Sequence, residues 1–166
     1  MATTDNLKAA FAGESQANRT YLAFAKKADA EGMKQIARLF RAVAAAETVH
    51  ALSHFRVMGG VKSTLDNLQA AIAGEGYEFK EMYPRFVTEA AAEGNRAAEN
   101  SFKDAMAVEE IHDTLYGEAL AAAKAGNDLP AAKIHVCQVC GNTVIGDVPD
   151  RCPICGARSN KFTEVQ

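Results

Sequence analysis

Two Glu-x-x-His motifs stand 62 residues apart in this chain of 166 residues, Glu47 to His50 and Glu109 to His112. They belong to a longer internal repeat. Ala30-Glu31-Gly32 recurs as Ala92-Glu93-Gly94, and Phe40 matches Phe102. Each glycine is followed 18 residues later by a histidine. Four residue types matching at one offset go beyond the chance likeness of alanine-rich helices. The repeat is a strong constraint: whatever one half forms, the other must form too. Four segments carry helical periodicity, at about 3–30, 33–58, 64–93 and 95–125. Gly32 and Gly94 break two hairpins, Gly59-Gly60 opens a central crossover, and Gly126-Asn127 ends the fourth segment. Thr64 and Asn95 are the expected N-caps. Pro84 is expected to kink the third segment.

Each segment carries an apolar stripe of the kind that faces a bundle core. The stripes read Leu7, Phe11, Glu14, Asn18, Tyr21, Ala25; then Ile36, Phe40, Val43, Glu47, His50, His54, Val57. The third and fourth read Leu68, Ile72, Glu75, Phe79, Met82, Phe86 and Ala98, Phe102, Ala105, Glu109, His112, Tyr116, Ala119. Every stripe has a glutamate where the pattern calls for another apolar residue. A buried, unpaired carboxylate is costly, and four converging ones raise each other's pKa. A multivalent cation removes that penalty. At i, i+3 a Glu and a His share one helix face, so one helix can offer oxygen and nitrogen to one cluster. A Glu from each of two helices plus Glu-x-x-His from the other two is the donor pattern of two-metal helical bundles.

Glu78 lies one turn from Glu75 and is a fifth candidate carboxylate, whereas the first segment has Ala17 at that spacing. Five carboxylates nearly balance two ferrous ions. His54, one turn past His50, is read as a non-ligand. Tyr21 and Tyr83 are candidate hydrogen-bond donors to the carboxylates, or core residues with satisfied hydroxyls.

Helical periodicity ends near Pro130, dividing the chain into an expected helical domain, 1–130, and a small module, 131–166. Short strand-like pieces, 134–136 and 143–145, alternate there with turns. All four cysteines lie in this module. Cys137-x-x-Cys140-Gly and Cys152-x-x-Cys155-Gly are two metal knuckles, with 11 residues between Cys140 and Cys152. The glycines permit a positive φ, and four thiolates make a tetrahedral site suited to zinc or iron. His135 is expected on the strand surface. Clustered thiols of this kind bind metal in a reducing compartment. The net charge of −3, with no basic stripe, gives no sign of nucleic-acid binding. No secretory leader or membrane-spanning stretch is evident, so a cytoplasmic protein is expected.

The segments Gly13-Glu14-Ser15-Gln16-Ala17, Glu47-Thr48-Val49-His50, Gly74-Glu75-Gly76-Tyr77-Glu78, Glu81-Met82-Tyr83-Pro84 and Glu109-Glu110-Ile111-His112, with both knuckles, together resemble the rubrerythrin family over nearly the full chain. The resemblance implies a mainly α fold: a ferritin-like four-helix bundle of two hairpins with a crossover, then a small β-rich rubredoxin-like domain. It implies two non-haem irons, bridged by Glu47 and Glu109, with Glu14 and Glu75 terminal and His112 on one iron. The second iron exchanges between His50 and Glu78. One further iron sits on Cys137, Cys140, Cys152 and Cys155. The implied activity is reduction of hydrogen peroxide to water in oxidative-stress defence. Electrons come ultimately from NAD(P)H through a rubredoxin or a reductase, and the implied assembly is a homodimer. A ferritin-like ferroxidase or iron-storage protein is the alternative on the bundle alone. A scaffold with structural zinc at the cysteines is a third reading.

Overall fold

The computed structural model describes residues 2–166. Helix α1 spans Ala2–Ala30 and α2 spans Lys34–Val57. Next come α3 (Thr64–Tyr77), a π-helical turn (Glu78–Met82), α4 (Tyr83–Ala92) and α5 (Arg96–Lys124). Three short strands follow, β1 (Ile134–Cys137), β2 (Thr143–Ile145) and β3 (Phe162–Val165). They form one antiparallel sheet in the order β2-β1-β3. The expected mainly helical fold with a small β-rich C-terminal module is the one observed. Two compact units divide the chain in the crossover, after Lys62; the module and the second hairpin share the unit Ser63–Gln166.

The first hairpin is α1 against α2. Ala37, Ala44 and Ala51 are buried at seven-residue intervals along α2, and Ala25 and Ala28 are buried on α1. Alanine at this spacing leaves no side chain to hold the helices apart, so the backbones approach closely. Buried Asn18 exploits that closeness. Its Nδ2 donates to the Ala44 carbonyl at 2.6 Å and to the Thr48 hydroxyl at 2.8 Å. The turn ends α1 with a glycine and a backbone bond from Met33 N–H to Ala28 O, 2.9 Å. The second hairpin repeats this bond from Asn95 N–H to Ala90 O, also 2.9 Å. Both bonds have the six-to-one form of a Schellman cap.

The repeat extends to side-chain packing. Tyr21, Phe24 and Phe40 form an aromatic cluster with centroids 5.6–6.3 Å apart. Tyr83, Phe86 and Phe102 form its counterpart at 5.5–6.2 Å.

Two local expectations need correction. Ser63, rather than Thr64, caps α3: its hydroxyl accepts from the Asp66 N–H at 3.2 Å and donates to the Asp66 carboxylate at 2.7 Å. Asn95 does cap α5, through Ala98 N–H. The third segment is not a continuous kinked helix. It passes through a π turn in which Tyr83 N–H donates to Glu78 O. Pro84 explains the widening, because its ring clashes with the carbonyl four residues back in an α-helix and it has no N–H to donate.

The seam makes a prediction. Ala44 is 1 % exposed, so Ala44→Leu should overpack the first hairpin and cost about 1–3 kcal/mol. Urea unfolding of the full chain checks this; an unchanged midpoint would contradict the close-packed seam.

Candidate metal centres

The first hairpin brings Glu14, Glu47 and His50 together, and the second brings Glu75, Glu109 and His112 together. Within each triad the ligand atoms lie within 4.8 Å of one another. The triads are near copies. His50 Nδ1 is 2.9 Å from Glu47 Oε2 and 3.9 Å from Glu14 Oε1. His112 Nδ1 is 2.8 Å from Glu109 Oε2 and 4.0 Å from Glu75 Oε2. Two ligand atoms about 2.1 Å from one ion and at right angles to each other lie about 3.0 Å apart. The Glu-x-x-His pairs therefore already have the separation of adjacent ligands on one ion.

The copies differ in exposure and in one residue of spacing. The His50 side chain is 55 % exposed and that of His112 is 25 % exposed. Leu7, Phe11 and Glu14 precede Leu68, Ile72 and Glu75 by 61 residues, whereas Tyr21, Phe24 and Glu47 precede Tyr83, Phe86 and Glu109 by 62. The second hairpin thus carries one extra residue between Glu75 and Tyr83, where the π turn lies. π turns of this kind are frequent at functional sites. Glu78 opens this turn. It stands outside the close triad, yet Glu109 and His112 both act on it electrostatically.

Burial and the neighbouring carboxylates hold protons in this cluster. Burial, then the Glu109 carboxylate, pushes Glu75 up to about 7; His112 opposes the shift and Glu78 adds to it. Burial, then Glu109, also raises Glu78. Burial, then Glu78, Glu109 and Glu75, keeps the Tyr83 phenol protonated above its usual range. Tyr83 therefore feels all three carboxylates. Tyr21 packs among Phe24 and Phe40.

The four cysteine sulfurs also converge within 4.8 Å. Cys137 and Cys155 are 3.8 Å apart, Cys140 and Cys152 3.5 Å. A tetrahedral ion about 2.3 Å from each sulfur sets them about 3.8 Å apart, close to these two separations. Gly141 and Gly156 close the knuckles at φ of +89° and +72°, where a side chain is strained. Burial disfavours the Cys152 thiolate, but the backbone N–H groups of Cys155 and Ile154, together with the Cys140 and Cys155 thiols, outweigh it and bring the thiol down to about 7. Buried Asn142 adds a side-chain N–H at 3.7 Å from that sulfur. His135 lies on β1 and is half-buried; its Nδ1 is buried and, among the described residues, has no hydrogen-bond partner.

Sequence reasoning missed Thr143 as a site residue. Its hydroxyl lies 2.9 Å from His112 Nε2, a contact between residues 31 apart that no local pattern announces.

The shifted carboxylates fix a pH dependence for the metal-free protein. Glu75 binds its proton up to about 7 when folded and releases it near 4.5 when unfolded. The folded state therefore holds more protons between these values, and its stability falls as pH rises through the window. Glu78 acts in the same direction. Thermal melts of metal-free protein should show a lower midpoint at pH 8 than at pH 5, and bound metal should reverse the loss by displacing the proton. A midpoint that rises across this window would overturn the assignment of a shared proton to the cluster.

Comparison with known proteins agrees with this geometry. The rubrerythrin family model matches residues 5–120, and that of the rubrerythrin rubredoxin-like domain matches residues 135–163. Rubrerythrin-2 of Clostridium acetobutylicum is 36 % identical, over 96 % of this chain and 95 % of its own. Nigerythrin of Nitratidesulfovibrio vulgaris is 38 % identical, over 97 % of this chain and 85 % of its own. Among solved structures, fully reduced, all-ferrous nigerythrin superposes with a TM-score of 0.59 at 36 % identity, covering 98 % of this chain and 86 % of that one. The chain is a member of the rubrerythrin family.

Proposed function

We propose that this protein is a non-haem di-iron peroxidase that reduces hydrogen peroxide to water, with electrons entering through an iron on its four cysteines. The observation that carries this reading is the pair of matching Glu-Glu-His triads in a chain that also ends in a four-sulfur site. Ile36 and Val57, on the stripe that bears Glu47 and His50, are 48 % and 68 % exposed, so the first hairpin does not cover this stripe by itself. The two triads together offer the donor set of a two-iron centre. The ferrous state of nigerythrin supports iron as the metal.

Bound ferrous ions would supply the two electrons that peroxide reduction needs. Glu47 and Glu109 would be the shared carboxylate ligands and Glu14 and Glu75 the terminal ones, and these carboxylates would offset the charge that builds up on oxidation. Glu78 opens the π turn outside the close triad and would be the alternative ligand to His50, since carboxylate suits a harder ferric ion and imidazole a ferrous one. Two protons are consumed for each peroxide, and Tyr83, whose phenol feels Glu78, Glu109 and Glu75, is a hydrogen-bond donor to orient those carboxylates and not the source of these protons. The proposed physiological setting is cytoplasmic oxidative-stress defence as a homodimer. A rubredoxin or NAD(P)H-dependent reductase restores the cysteine-bound iron. No helix among the described residues is long and apolar enough to cross a membrane. Iron storage would give the cysteine module no task, so the ferroxidase reading is the weaker one.

Stopped-flow mixing of the fully reduced protein with peroxide and with dioxygen tests the activity. Peroxide should oxidise both iron chromophores faster; rapid oxidation by dioxygen alone would sink the peroxidase assignment. Glu78→Ala should slow the peroxide reaction by about tenfold, equivalent to about 1.4 kcal/mol of barrier. An unchanged rate would remove Glu78 from the mechanism.

A further inference from the structure

Helix α5 presents Val108 and, one turn later, His112 to the cysteine module of the same chain. Val108 is 2 % exposed, and a Cβ built on Gly141 would lie 3.8 Å from its Cγ1. The module therefore seats its first knuckle directly on this helix. Beside that contact the Thr143 hydroxyl lies 2.9 Å from His112 Nε2 and 3.3 Å from the Gly141 carbonyl oxygen. Gly141 follows Cys140 in the chain.

The Gly141 carbonyl can only accept, so the Thr143 hydroxyl is free to donate to it and to accept from His112 Nε2. The ring nitrogen facing Glu109 and Glu75 is Nδ1, 2.8 Å from the Glu109 carboxylate. When Nδ1 holds a metal ion, Nε2 carries the ring proton and donates it to Thr143. Which ring nitrogen carries metal is set by the bond the other one makes. We propose that Thr143 is a positioning residue. Its hydroxyl fixes the orientation and tautomer of His112, so that the cysteine module sets up a ligand of the helical metal centre in the same chain. His50, with its ring 55 % exposed, is the less constrained of the two histidines. The assignment of Nδ1 as a ligand and of the proton to Nε2 both rest on the di-iron reading above; the contact of Thr143 with His112 stands apart from it.

The test uses the full chain loaded with zinc, which is diamagnetic, and labelled with 15N-histidine. In the wild type, the His112 Nε2–H should exchange slowly with solvent. Thr143→Val keeps the shape and removes the hydroxyl, and should speed that exchange by about tenfold or more. Thr143→Ser restores a hydroxyl and should restore protection. In iron-loaded protein, Thr143→Val should also slow the reoxidation of the reduced four-cysteine iron after a peroxide pulse, again with recovery in Thr143→Ser. The four-cysteine absorption band reports that the module is intact in each variant. Wild-type protection in Thr143→Val, or no recovery in Thr143→Ser, would overturn the proposal. A protected Nε2–H in wild-type protein that is inert to peroxide would leave Thr143 its role and defeat the peroxidase reading instead.

Discussion

Carboxylates set into otherwise apolar helix faces cannot remain there as anions without cations. Much else in this chain follows from that. Glu75 meets Glu109 across α3 and α5, and the pair answers the repulsion by holding a proton to about pH 7. Metal binding replaces that proton with a larger charge, so it is coupled both to pH and to the stability of the helices. The alanine seam and the Asn18 clamp of the first hairpin, and the aromatic clusters of both, hold the glutamates in place against this repulsion. At the other end of the chain the same problem is solved differently. Four thiols share one point in space, and backbone N–H groups from two glycine-closed turns lower the cost of ionising them.

The duplication was legible in the residues because its matches are side chains of unusual type at fixed spacing. The pairing of Glu47 with His50 and of Glu109 with His112 was legible in the residues alone, as was the convergence of the four cysteines. The helix breaks at Gly32 and Gly94 were equally plain. The slip from an offset of 61 to one of 62 between Glu14 and Tyr21 was also present in the sequence. Its visible trace is the asymmetry between Ala17 and Glu78. A kink at Pro84 absorbs the proline without an extra residue, whereas a π turn absorbs both, and the single-residue slip was the clue that separates them.

Other features were invisible for physical reasons. Strand β3 is four residues at the chain end, too short for a period to show. Ser63 and Thr64 are adjacent hydroxyl residues, and which one caps α3 depends on a backbone rotation that composition does not encode. Thr143 meets His112 only because the first knuckle rests on Val108, a packing event between distant segments. His135 illustrates the converse: its place on a strand was expected, but its buried Nδ1 arises from the neighbours the sheet brings.

The short tether from α5 to the module carries a further consequence. Only residues 125–133 separate the last helix from β1, and the module is already seated on that helix. A redox carrier held in this way acts at an effective local concentration set by the tether, far above that of a freely diffusing protein. On the proposed function, electron delivery from the cysteines to the histidine of that same helix is then a first-order event within one chain, indifferent to dilution.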